Sequence, residues 1–302
     1  MINIYEKNGI TGKINTEISS HTAYRFGQAY GQFLKLALQS AKVLVAKDTR
    51  ASGDMMTAAL SAGFCSVGVN VVNVGTIPVP ALSYLINEYK MSGGAMISAP
   101  KCPAEYSGIC FLDGEGNLID DAAVDAINKY LEADVDDNIA DFRSIGRISR
   151  THTGLRDYVD YIKSAPDCRF RGIKLAIDCA NGATFESAKL IFKELGADVE
   201  MIHNLPDGFN INEKCGYCDT ASLQSFVPSH KCDIGIAFDG VGVDFAVTDE
   251  NGELIPESVI KHLCDNVSES EAVLSKDAIS GACRLVRAYC MNDKKMSELC
   301  KE

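Results

Sequence analysis

Three short apolar runs end on an aspartate: KVLVAKD (42–48), IKLAID (173–178) and DIGIAFD (233–239). Each has the length and β-branching of a buried strand and is too short for an independent helix. The first two pass directly into TRASGD (49–54) and CANGAT (179–184), polar loops that lead into amphipathic segments. A strand that must bury both faces, followed by a covering helix, is the repeating unit of an α/β protein.

The intervening sequence supports the same plan. TRASGD is expected to open a helix from Ser52 to Val67, with Ser52 as its N-cap. A strand at VNVVNVG (69–75), a helix after Pro78 and Pro80, and strands at 94–98 and 108–113 complete a first unit. A helix from RTHTGLRDYVDYIKSA (150–165) begins a second, with a helix over Thr184–Leu195, a strand at ADVEMI (197–202), a helix near 220–228 and a hairpin turning at Asn251-Gly252. The acidic stretch 132–142 leads to the boundary. From Ser258 onward the chain reads as short amphipathic helices ending in a polar, frayed terminus. The expected fold is α/β: two consecutive three-layer α/β domains with mostly parallel sheets, plus a short helical C-terminal tail.

Composition narrows the partners. The net charge of −12 argues against nucleic acid, whose phosphates need a basic surface. No run of about 18 apolar residues marks a membrane span. MINIYEKNGITGK lacks the apolar core of a signal peptide, so a cytoplasmic location is expected. The 12 cysteines are then expected as free thiols, with Cys65, Cys110 and Cys179 serving as small core residues.

Six blocks carry a resemblance: VLVAKDTRASGDM (43–55), TIPVPALSYL (76–85), MISA with GICFLDGEGNLI, LAIDCANGAT (175–184), NLPDGFNINEKCG (204–216) and DIGIAFDG (233–240). In order and spacing the sequence resembles the α-D-phosphohexomutase family, and within it the bacterial phosphoglucosamine mutases. The resemblance implies a domain I-like unit over 1–148, a domain II-like unit over 149–255, and a helical tail over 256–302 in place of domains III and IV. In that family a phosphoserine exchanges its phosphoryl group with a hexose phosphate, beside a Mg²⁺ ion held by three aspartates.

The loops that do this work depart from the family pattern. Where the family reads S-A-S-H-N-P, this chain has Ser98-Ala99-Pro100-Lys101-Cys102-Pro103. Pro100 stands at the nucleophile position and has no side-chain oxygen; Lys101 and Cys102 replace histidine and asparagine, and Ser98 lies two residues upstream. The metal loop, D-G-D-x-D-R in the family, is Asp239-Gly240-Val241-Gly242-Val243-Asp244. Asp239 is a vestigial ligand and Asp244 a candidate one, but valines offer a hard cation nothing, and no cofactor is expected. In Tyr5–Gly12 the family arginine is Thr11. The family's sugar-recognition and C-terminal phosphate-loop motifs are not found in the chain.

The expected role is therefore a catalytically inactive, binding or regulatory homologue, with a mutase of residual or altered activity as the alternative. Expected partners are a second copy or a full-length mutase, met through domain I, and a sugar phosphate or other anion. Arg50 and Ser52, at a strand end and helix N-terminus, are the candidate anion-binding residues. Cys215-x₂-Cys218 has zinc or redox spacing, with His203, His230 and Cys232 as further ligand types; no spacing joins them, and the pair reads first as structural.

Overall fold

The computed structural model describes residues 9–38, 40–132, 139–164, 169–265, 277–292 and 294–300. Tyr5–Asn8 of the N-terminal block and 133–138 of the acidic stretch lie outside them. The chain divides into two compact units, Met1–Leu155 and Arg156–Glu302.

The first unit runs β1 (Ile10–Lys13), α1 (Ser20–Ala37), β2 (Lys42–Lys47), α2 (Ser52–Ser66), β3 (Asn70–Thr76), α3 (Val79–Glu88), β4 (Gly93–Ile97), β5 (Tyr106–Leu112), α4 (Asp121–Glu132) and β6 (Ile148–Arg150). Its sheet has the order β1-β5-β4-β2-β3-β6. The central pairs β2/β3, β2/β4 and β3/β6 are parallel, while β5 is antiparallel to both β4 and β1. Side chains alternate between two helical layers. Ala95 joins Val43 and Val45 in the core under α1, α2 and α4. Its neighbour Gly94 faces the other way, clearing Ile86 of α3. The sheet is therefore sandwiched between helices.

Helix α1 was not anticipated from the sequence, nor were β1, α4 and β6. Ala23, Phe26, Gly27, Tyr30, Gly31 and Leu34 form its buried stripe. Gly27 and Gly63 let α1 and α2 approach backbone to backbone: a Cβ at Gly27 would overlap the Leu60 carbonyl oxygen, and one at Gly63 the Tyr24 carbonyl oxygen. Gly63→Ala is expected to cost about 1–3 kcal/mol through overpacking, read as a lower urea midpoint at unchanged slope. An unchanged midpoint would mean that the helices do not meet there.

Ser52 does not cap α2. Ala51 holds the N-cap position with helical dihedrals and no side-chain cap bond, so Ser52 already lies inside the first turn. The expected helix over 150–165 also splits: Ile148–Arg150 pairs in parallel with β3, and helix begins only at Gly154.

The second unit continues with α5 (Gly154–Lys163), β7 (Lys174–Asp178), α6 (Ser187–Glu194), β8 (Asp198–Ile202), a 3₁₀ turn (Gly216–Cys218), α7 (Ala221–His230), β9 (Ile234–Phe238), β10 (Phe245–Thr248), α8 (Glu257–Asp265), α9 (Ala278–Cys290) and α10 (Met296–Leu299). Its sheet order is β10-β9-β7-β8, parallel except for β10. The turn after β10 closes as read, with Asp249 Oδ1 accepting from the amides of Asn251 and Glu253, and Gly252 at φ 82°.

The C-terminal helices are packed. The Asp277 carboxylate caps α9 through Ser280 N–H and accepts from Tyr158 Oη at 2.8 Å, and Ala278 N–H donates to the Gly242 carbonyl at 3.1 Å. The frayed terminus expected from the polar sequence is instead helical, because Met296 and Leu299, three residues apart, are buried together while Ser297 Oγ donates to Glu250. No helix among the described residues is long and apolar enough to cross a membrane.

Candidate functional site

The three aspartates at the strand ends, Asp48, Asp178 and Asp239, are each no more than 1% exposed. A carboxylate this deeply buried needs hydrogen bonds and a counter-charge, or a proton. The chain meets that need differently at each position.

Asp48 follows β2 and is met by Arg50. Asp48 Oδ1 accepts from the Arg50 amide at 3.0 Å, turning the chain toward α2, and Oδ2 is paired with the Arg50 guanidinium and accepts from Ser98 Oγ at 2.6 Å. Arg50 is 1% exposed. Its Nη2 also donates to the carbonyls of Ala99 and Cys102, each at 2.6 Å. The planar guanidinium thus joins the end of β2 to the loop after β4, a bidentate role lysine cannot copy.

That loop is the segment Ser98–Pro103 that the resemblance aligns with the family's nucleophile. Ser98 N–H donates to Gly108 O, extending the β4/β5 ladder, and turns close from Cys102 N–H to Ala99 O and from Tyr106 N–H to Pro103 O. Ala99 and Ser98 are buried; Pro100 and Lys101 are exposed and Cys102 is half-buried. From the sequence, Ser98 belongs to the nucleophile loop and Arg50 to a separate candidate anion site; the fold joins the two through Asp48. Ser52 Oγ, one residue-pair further on, is buried without a hydrogen-bond partner.

Asp178 closes β7. Its Oδ1 accepts from the Ala180 amide at 2.8 Å; Oδ2 accepts from the Gly216 amide at 3.0 Å and meets His203 Nδ1 at 2.9 Å. The hydrogen bond to Asp178 holds the imidazole above its usual pKa. His230 and Cys232 lie apart from this group: His230 stacks on Phe226, and Cys232 sits in the core with Leu223 and Val227.

Asp239 follows β9 and has no such companion on its second oxygen. Oδ1 accepts from the amides of Val243 at 2.8 Å and Asp244 at 3.3 Å, while Oδ2 is buried without a partner. Val241 is fully buried beside it and Asp244 is half-buried. Burial, helped by the nearby Asp244 charge, pushes the Asp239 carboxyl up to about 6. The native state then favours the protonated acid. That contribution is complete below the ordinary value of 3.8 and is lost as pH rises through about 6. A two-unit shift corresponds to roughly 3 kcal/mol. Asp239→Asn is expected to lack this dependence, so its urea midpoint should gain on wild type between pH 4.5 and 7.5; parallel profiles would contradict the assignment.

Thr11 is exposed on β1, opposite Gly108 of β5.

Comparison with known proteins follows the same outline. Residues 3–137 match the phosphoglucomutase/phosphomannomutase alpha/beta/alpha domain I. The chain is 39% identical over 280 residues to a phosphoglucosamine mutase of Clostridium botulinum (strain Eklund 17B / Type B), spanning 92% of this chain and 63% of the relative. It is 42% identical over 249 residues to the phosphoglucosamine mutase of Clostridioides difficile (strain 630), covering 82% of this chain and 55% of that protein. The chain thus spans less than two thirds of these relatives' length. A phosphoglucomutase/phosphomannomutase family protein from Burkholderia thailandensis superposes with a TM-score of 0.84 at 19% identity, over 98% of this chain and 80% of that one. Parafusin, a phosphoglucomutase from Paramecium, gives 0.78 at 12% identity over 98% and 73%. The family-model match, the sequence relatives and the shared α/β fold agree: this chain belongs to the phosphohexomutase family.

Proposed function

We propose that the chain is a non-catalytic, phosphoglucosamine mutase-like binding or regulatory homologue. One observation carries the reading. The loop after β4 is firmly held by Arg50, yet its nucleophile position is Pro100, and the nearest upstream hydroxyl, Ser98, is 7% exposed and donates to Asp48. A hydroxyl so buried is poorly placed to attack a phosphoryl group.

The family's Mg²⁺ was weighed against the residues present. Mg²⁺ takes near-octahedral oxygen ligands and keeps much of its water. Here Asp239 Oδ1 is committed to two amides, Oδ2 is buried without a partner, and Val241 and Val243 add no side-chain oxygen. This set does not fit the ion, and no phosphoryl-transfer step is derived through it.

The binding role is exerted through the first unit, with a full-length phosphoglucosamine mutase or a second copy as partner. Residual anion binding rests on Ser52 more than on Arg50, whose Nη atoms are already engaged by Asp48, Ala99 and Cys102. A coupled mutase assay on glucosamine phosphate, with Mg²⁺ and a bisphosphate primer, tests the reading, alongside co-purification with a full-length mutase. No turnover together with a stable complex is expected. The Ser98–Asp48 hydrogen bond favours one alternative, a residual mutase using Ser98; turnover abolished by Ser98→Ala would replace the proposal with it.

A further inference from the structure

Asp178, His203 and Cys215 come together at the ends of β7 and β8 and the start of the 3₁₀ turn. One ligand atom from each lies within 4.8 Å of the other two. Phosphoryl transfer in the family reading assigns these residues no part. The sequence paired Cys215 with Cys218 and offered His203 as one further ligand type; the fold brings His203 to Cys215 and adds the strand-end carboxylate of Asp178.

We propose that this cluster is a binding site for one borderline transition-metal ion of the zinc or cobalt class. The proposal is independent of whether the chain catalyses anything. One thiolate, one imidazole and one carboxylate form a donor set that such ions accept, whereas Mg²⁺ and Ca²⁺ favour oxygen alone. Zinc bonds of about 2.0–2.3 Å require the three donors to draw together modestly from their present separation. The fourth position is left to water.

The frame around the cluster is built. Asn181 N–H donates to the His203 carbonyl at 2.7 Å, and Asn212 N–H to the Ala180 carbonyl at 3.0 Å, knitting the three loops. Ala180, His203, Asn212 and Lys214 all hold left-handed dihedrals, with φ between 44° and 58°. Such strain is retained where surrounding structure over-determines it, and it concentrates at binding sites. A Cβ on Gly216 would overlap Ala180, so the turn carrying Cys215 is pressed against the Asp178 loop. The Asp178 carboxylate keeps its amide bonds to Ala180 and Gly216, which fix its orientation, while its contact with the imidazole is exchanged for the ion. The His203 side chain, 29% exposed, gives the ion a way in.

Cobalt(II) is the probe. The full chain, stripped with chelator and kept reduced, is titrated with Co²⁺ while thiolate-to-cobalt and ligand-field absorption are recorded, with metal content measured after desalting. One equivalent with a thiolate charge-transfer band is expected. Cys215→Ser should abolish that band, and His203→Gln should weaken binding by roughly 10- to 100-fold. Because Cys215 is buried and its replacement can unsettle the fold, the more exposed His203→Gln serves as the second variant, checked by circular dichroism without metal. Cys232→Ser, outside the cluster, should bind as wild type. A band that survives in both Cys215→Ser and His203→Gln, or no stoichiometric binding by the folded wild-type chain, would overturn the site.

Discussion

Replacing the nucleophile loop with the family residues, Pro100→Ser with Lys101→His and Cys102→Asn, is expected to leave the chain without measurable mutase turnover. The wild-type chain should show none either. Removing a covalent nucleophile costs on the order of 10⁴-fold or more in rate, and restoring it repairs one of several departures from the family pattern. The metal loop would still have its Asp239 carboxylate turned into its own backbone and valines at its other two ligand positions. A phosphoryl transfer without a cation lacks the charge compensation that this chemistry depends on. Val241→Asp with Val243→Asp alone should fail for the converse reason. The measurement is a coupled assay with bisphosphate primer and Mg²⁺. Turnover in the loop-repaired variant alone would show that the metal loop is not limiting.

Arg50→Ala is expected to be the most damaging single substitution for stability. It leaves Asp48 as a fully buried carboxylate with no counter-charge and strips the donors from the Ala99 and Cys102 carbonyls. Breaking a buried pair from one side costs about 3–5 kcal/mol. Arg50→Lys keeps the charge but not the fork, and should fall between the two, roughly 1–3 kcal/mol below wild type. Urea unfolding reads the loss, and limited proteolysis should cut near 98–103 in Arg50→Ala before the rest of the first unit. A midpoint within experimental scatter of wild type would mean that water replaces the guanidinium and the loop is not held by it.

Much of this was legible because strands that end on aspartate are short, apolar and punctuated. The runs at 42–47, 174–178 and 234–238 emerge as β2, β7 and β9 almost residue for residue. Helix α1 was legible in principle from its buried stripe, but there Phe26, Tyr30 and Leu34 are interleaved with Ala23, Gly27 and Gly31, small residues that thin the apolar pattern. The β6 strand was not, since Ile148–Arg150 is a three-residue exposed segment that buries no apolar side chain. At the site, substitution of the nucleophile by proline was visible in one dimension. The use of Arg50 was not, because an arginine at a strand end looks the same whether it waits for an anion or clamps a distant loop. The same holds for His203, whose partners Asp178 and Cys215 lie 25 and 12 positions away.

The three aspartates differ in how far the fold itself satisfies them. Asp48 and Asp178 are compensated within the fold, by Arg50 and by His203 with two amides, so their loops persist without a ligand. Asp239 alone is left with an unpartnered oxygen, and a proton is the simplest way to satisfy it.

The central claim is that no residue of this chain accepts a phosphoryl group from a hexose bisphosphate. Intact-mass spectrometry of the native protein, before and after incubation with glucosamine bisphosphate and Mg²⁺, tests it directly. The account predicts a single unmodified mass in both samples. A species heavier by one phosphoryl group, stable enough to map to Ser98 or another hydroxyl, would contradict it and return the chain to the enzymes of its family.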